Sequence, residues 1–140
     1  MAPRGVAAGA AAAAAWFACD PLLKRAFGTP YADSELVGPF LTRGRLEPVA
    51  NLVTHAAAGA VFGRIFVRLG GRTVRAGIAA AVVENTLLWP SLALLERHHP
   101  KRRDGTWPPL VTSPRAFAAA TTGHALFGAL LGAAVSRTGS

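Results

Sequence analysis

The chain has 140 residues, of which 51% are hydrophobic and only 16% are charged, whereas soluble domains carry about 25% charged residues. Its net charge of +8 comes mostly from arginines in loops beside apolar segments, which favours contact with a lipid bilayer over binding of nucleic acid. The single cysteine, Cys19, excludes an internal disulfide. These features predict a multi-pass protein of the cell membrane.

Four apolar segments predict an all-α, polytopic bundle of transmembrane helices, or three helices if the first segment does not span. Residues 1–140 are expected to form one transmembrane domain, with helices at about 5–19, 46–69, 74–95 and 114–135 and loops at 20–45 and 96–113. The first segment resembles a signal peptide, but its weakly charged start favours an uncleaved helix. Asp20-Pro21 is expected to end that helix, and Pro90 to kink the third.

The two long loops carry charged side chains with two candidate roles each. Asp33 and Glu35 are expected to be solvated, and a lid over the bundle is the alternative. The basic loop at 96–113 is expected to be solvated too, because polybasic stretches beside membrane helices are common. Its alternative role is a lipid-headgroup site made by Lys101, Arg102 and Arg103. Two histidines of the same loop, His98 and His99, are predicted to be surface residues.

A histidine and two glycines recur at the same spacing in the second and fourth helices. Residues 55–63 read HAAAGAVFG and residues 124–132 read HALFGALLG, which makes the two helices a weak parallel repeat. Glycines four residues apart share one helix face and let backbones approach closely. The pattern therefore predicts a glycine zipper that packs the second, third and fourth helices together, through Gly59, Gly63, Gly128 and Gly132.

Packing alone does not explain why each glycine series begins with a histidine. His55 and His124 lie near the middle of their helices, and Glu84 lies at a similar depth in the third. An ionisable side chain at that depth costs about 2.5–3.5 kcal/mol unless it is paired. We therefore predict that these three side chains converge as a candidate catalytic centre. Their expected polar supports are Asn51, Asn85 and Thr121.

Such a cluster is compatible with several functions. The first is a structural or accessory membrane component that a buried Glu/His cluster holds in register. The first alternative is a membrane-embedded enzyme, in which Glu84, His55 and His124 perform acid–base chemistry on an apolar lipid or isoprenoid-like substrate. A further alternative is a proton or solute conduit. Remaining glycine and alanine faces suggest association with a second copy or a larger membrane complex.

Cofactor-dependent chemistry has little support in the sequence. The chain contains no P-loop, dinucleotide-binding glycine pattern or nucleophile elbow. Metal or haem ligation by the two helical histidines ranks lowest, because neither a CxxCH nor an HExxH motif is present. We therefore predict no cofactor and no metal.

Overall fold

The computed structural model describes residues 2–137, and within that range the chain is helical without strands. Short 3₁₀ turns lie at Asp33–Glu35, Gly44–Leu46 and Trp89–Ser91. The α-helices are α1 (Ala2–Phe27), α2 (Gly38–Leu41), α3 (Glu47–Arg68), α4 (Val74–Leu88), α5 (Leu92–Glu96), α6 (Pro100–Arg103) and α7 (Pro114–Arg137). This confirms the predicted all-α bundle.

Four helical segments are long and apolar enough to cross a membrane: Pro3–Phe27, Gly44–Arg68, Val74–Glu96 and Pro114–Arg137. Their positions agree with the four predicted apolar segments. The third segment consists of α4 and α5 joined by the 3₁₀ turn at Trp89–Ser91. The expected disturbance at Pro90 takes the form of this turn, since proline has no N–H to continue the α-helical bonding.

The first helix is longer than predicted, because Asp20-Pro21 does not end it. α1 contains Pro21 and continues to Phe27. The proline removes one backbone N–H, but the adjoining turn is held by a tertiary contact in which the buried Asp20 carboxylate accepts a hydrogen bond from the Ser34 hydroxyl. The helix ends where Gly28 takes a positive φ of 59°, a conformation that glycine adopts without strain at helix C-termini.

Glycine contacts define two antiparallel helix pairs. In the first pair, Gly9 of α1 faces Gly59 of α3; in the second, Gly77 of α4 faces Gly128 of α7. A methyl group added at any of these positions would overlap the facing backbone or side chain. Each glycine series thus packs against a different partner helix, α1 for α3 and α4 for α7, within the chain itself.

The two pairs meet through α1 and α7, whereas the prediction packed the second span, α3, together with the third and fourth. Trp16 of α1 lies over Gly123 of α7, and Leu23, further along α1, shares a small cavity with Ala119, earlier in α7. α7 therefore runs antiparallel to α1. Since α3 also runs antiparallel to α1, α3 and α7 are parallel, in the order α3–α1–α7–α4.

The correction has a physical cause in α1. This helix has its own glycines to match those of α3, and a large indole that fills the space above Gly123. α1 therefore takes the central position that the sequence analysis assigned to the third span. As a result, α3 and α4 make little contact along the depth of the bundle. A gap between these two helices leads to the candidate site.

Candidate functional site

The two repeated histidines meet at one tryptophan. The ring centroid of Trp16 lies 4.6 Å from that of His55 and 4.7 Å from that of His124, both in edge-on geometry. All three side chains are buried. Sequence reasoning missed Trp16, although the one tryptophan of an alanine-rich helix was a usable signal.

Glu84 reaches only one of the two histidines. Its Oε2 lies 3.1 Å from Nε2 of His124, and its side chain is 38% exposed. Nε2 of His55 is buried and has no hydrogen-bond partner among the described residues. The structure thus brings the three predicted residues to one place, but it pairs Glu84 with His124 alone.

The geometry of His124 fixes how many protons the pair holds. Nδ1 of His124 lies 2.8 Å from the carbonyl oxygen of Ala120. A carbonyl oxygen only accepts, so Nδ1 carries a proton and donates it. A hydrogen bond between Nε2 and the Glu84 carboxyl then requires one further proton, located on one partner or the other. The Glu84–His124 pair therefore shares one proton, which is the property needed in a general acid.

A cavity of about 90 Å³ adjoins this pair. Its lining includes Glu84, both histidines and Trp16. Asp33, from the connection between α1 and α2, lines it as well. Asp33 is only partly exposed and lines this cavity, which is the position that the lid alternative assigns to it. The buried Tyr31 hydroxyl donates to Oδ1 of Asp33 at 2.8 Å. Burial raises the pKa of Tyr31 well above its usual value, so this hydroxyl keeps its proton.

A second cavity, of about 370 Å³, lies in the gap between α3 and α4. Apolar side chains line it, including Ile65 and Phe66 of α3 and Ala80 of α4. Phe62 lines both this cavity and the polar one. An apolar groove and a polar chamber are therefore neighbours on the same side of the bundle.

The predicted polar supports lie elsewhere. The side-chain amide of Asn85 donates to the Thr121 hydroxyl at 3.1 Å, and that hydroxyl donates to the carbonyl of Phe117 at 2.8 Å. These bonds tie α4 to α7 and do not involve the histidines. Asn51 lies against Gly38 of α2, and its Oδ1 has no partner among the described residues.

Two of the three candidate headgroup residues are engaged inside the protein. Nζ of Lys101 lies 3.0 Å from a Glu47 oxygen and 3.4 Å from a Glu35 oxygen, and only 14% of the Lys101 side chain is exposed. Arg102 donates to the carbonyl of Trp107 at 2.9 Å. Arg103 is exposed. These contacts bind the first and third connections together.

The prediction that both loop histidines are surface residues was wrong for His99, which is fully buried; His98 is exposed. The His99 ring stacks on Trp107 with a centroid distance of 4.1 Å. Its Nε2 donates to the Glu35 carbonyl at 3.0 Å, and its Nδ1 accepts from the Lys101 N–H at 3.2 Å. Burial lowers the pKa of His99 from its usual value, so the ring is held neutral as a core element.

This geometry provides no observation in favour of metal binding. In residues 2–137, no group of three or more His, Cys, Asp or Glu side chains is arranged to hold a metal ion. No protein-family model, curated protein or solved structure matches the chain.

Proposed function

We propose that this chain is a multi-pass protein of the cell membrane that binds a single-chain apolar molecule between α3 and α4. The polar end of that molecule contacts Glu84, His124 and His55, and its chain occupies the apolar groove. One observation carries the proposal: Phe62 lines both a polar chamber containing an unpartnered His55 nitrogen and an apolar cavity beside it. Buried polar atoms are normally satisfied, so the unpartnered nitrogen suggests a missing ligand.

The size and lining of the two cavities support this proposal. Small-molecule sites are usually clefts of about 300–1,000 Å³ with mostly apolar walls and a few placed polar groups. The cavities of about 370 and 90 Å³ together fall within that range. They also lie within helices able to span a membrane, so an apolar ligand enters from the surrounding lipid.

A second candidate is acid–base catalysis on the bound molecule. The shared proton of Glu84 and His124 supports it, since one face of the chamber offers an acid and the His55 nitrogen offers a base. Isomerisation of a carbon–carbon double bond requires only these two groups. The pair protonates one carbon of the double bond, which leaves the positive charge on the other. His55 then removes a proton from the next carbon along the chain, so the double bond moves by one position, and return of that proton to the pair restores the site.

A purely structural or accessory role accounts for only some of these features. It explains the Glu84–His124 and Asn85–Thr121 contacts, which tie α4 to α7. It does not explain the open space beside them. A conduit is supported less well, because the larger cavity has apolar walls, and proton paths in membranes use chains of polar and ionisable groups.

Two neighbouring alanines on α4 provide a matched test of ligand binding. Ala80 lines the groove, whereas Ala79 is exposed and lies outside it. Wild type, Ala80→Phe and Ala79→Phe would be purified in mild detergent, and their bound lipids extracted and compared with the bulk membrane by mass spectrometry. We expect a single-chain compound enriched with wild type and Ala79→Phe but lost from Ala80→Phe. Bound lipid that matches the bulk membrane in all three would refute the proposal.

The same extraction tests the enzymatic alternative. Glu84→Gln keeps a hydrogen-bonding side chain but cannot supply the shared proton. If the protein catalyses isomerisation, the compound bound to Glu84→Gln will be the unreacted isomer, with the mass of the wild-type compound and a different retention time. Identical compounds in both proteins would leave ligand binding as the function and exclude this chemistry.

A further inference from the structure

We infer that the polar end of the bound molecule is uncharged, a hydroxyl or carbonyl group, and not a phosphate or carboxylate. The inference rests on the proposed function and adds the chemical class of the ligand. It follows from the charged groups that line the polar chamber and from the contacts that those groups already make.

The chamber contains two carboxyl groups, and the basic side chains in its lining are the two histidines, of which His124 is already paired with Glu84. Glu84 and Asp33 both line it, and none of its lining side chains is a lysine or an arginine. Asp20 lies close behind and shares a smaller cavity with Asp33. An anionic headgroup would place a further negative charge beside these carboxylates in a poorly solvated space. Sites for phosphate headgroups are instead built from lysine and arginine.

The nearest lysines do not supply the missing positive charge. Lys24 and Lys101 both pair with Glu35, at 2.7 and 3.4 Å. That carboxylate does not line the chamber. Neither lysine therefore supplies positive charge to the polar chamber.

The hydrogen-bonding groups of the chamber suit a neutral group better than a cation. An ammonium group only donates hydrogen bonds, whereas a hydroxyl both donates and accepts. The Glu84 carboxyl already shares a proton with His124, and Asp33 already accepts from Tyr31. A hydroxyl is able to satisfy the unpartnered His55 Nε2 in either tautomer of the ring, by donating to it or by accepting from it.

Four probes with one chain and different end groups test this inference. The probes are hexadecanol, hexadecyl phosphate, palmitic acid and hexadecylamine, each with a diazirine at the same position in the chain. The protein would be reconstituted in phosphatidylcholine nanodiscs, irradiated with each probe, and its labelled peptides mapped. We expect hexadecanol to label the groove-facing segment of α3, residues 62–69, at least about tenfold more than the phosphate or the acid.

Three variants connect the result to its cause. In the double variant Asp33→Asn and Glu84→Gln, the phosphate and acid probes should gain labelling of the same segment. Ala80→Phe should reduce labelling by every probe, and Ala79→Phe should not. Circular dichroism would establish that each variant remains helical.

The possible failures are distinguishable. Labelling of the groove by the phosphate or acid as strong as that by the alcohol would overturn the neutral-ligand inference and leave the proposed binding function intact. Strongest labelling by the amine would also overturn the inference, in favour of a cationic ligand. If no probe labels residues 62–69 of the wild type, both the inference and the proposed function fail.

Discussion

The closest helix approach in the bundle makes a prediction with a definite size. A methyl group added at Gly59 would lie 2.5 Å from the Cβ of Ala13 on α1. Carbon atoms in contact are normally about 3.5–4.0 Å apart, so Gly59→Ala requires α1 and α3 to separate locally by about 1–1.5 Å. Overpacking of this kind costs about 1–3 kcal/mol. We expect that loss of unfolding free energy from a single added carbon.

The separation should also reach the functional site. Gly59 and Ala13 both line the polar chamber, and Trp16 and His55 lie about one helical turn away. Moving α1 from α3 therefore loosens the contact of the indole with His55. We expect Gly59→Ala to shift the fluorescence of the protein, since Trp16 is buried in this contact.

The assay is unfolding in detergent, followed by tryptophan fluorescence and by circular dichroism. Ala57→Val is the control, because Ala57 lies on the exposed face of the same helix and the substitution adds two carbons. Gly77→Ala tests the α4–α7 pair in the same way, since its methyl group would lie 3.0 Å from the Gly128 carbonyl carbon. If Gly59→Ala is as stable as Ala57→Val, the close approach of α1 and α3 is not required for the fold.

Three further predictions concern polar side chains. Glu84→Gln should change the unfolding free energy by no more than about 1 kcal/mol, because the amide still donates to His124 and intramembrane hydrogen bonds average about 0.6 kcal/mol. His99 has a lowered pKa in the folded state, so the unfolded chain binds protons more readily. Stability should therefore fall as the pH drops below the ordinary histidine value of about 6.5. Fluorescence-monitored unfolding at pH 7.5 and at pH 5 measures this loss. Lys101→Met should destabilise the protein by about 1–3 kcal/mol in the same assay, because it removes the cation that two largely buried carboxylates share. Asp104→Asn removes one partner of a more exposed ion pair and should cost less.

Each of these predictions has a result that contradicts it. A loss of several kcal/mol in Glu84→Gln would mean that the carboxylate is essential to the fold. Unchanged acid sensitivity in His99→Gln would assign that sensitivity to another group. Equal stability of Lys101→Met and Asp104→Asn would show that the bridging lysine contributes no more than an exposed pair.

The sequence was sufficient to predict the helices and the depth of their polar residues. Length and hydropathy set the spans, since a bilayer requires about 20 apolar residues per helix. Four-residue glycine spacing predicted close helix packing, because that spacing places small residues on one face, but it did not identify which helices are partners. Depth follows from position along a helix, so His55, His124 and Glu84 lie at a common level.

The sequence did not reveal which other side chains these residues contact. Which helices pack together depends on the fit of whole faces, and the deciding residue was Trp16, whose indole requires the space above Gly123. That fit places α1 between α3 and α7 and holds His55 away from Glu84. His99 was mispredicted for a similar reason, since its burial depends on Trp107 from a later part of the loop.

The central claim is that the unpartnered nitrogen of His55 receives the polar end of an apolar ligand. Solid-state NMR of protein labelled with ¹⁵N-histidine, in phosphatidylcholine bilayers with and without hexadecanol, tests it directly. We predict that the Nε2 resonance of His55 shifts when the alcohol is added and that Ala80→Phe abolishes the shift. His124 should show a protonated Nδ1 throughout. A His55 resonance that does not respond to the alcohol in the wild-type protein would contradict the claim.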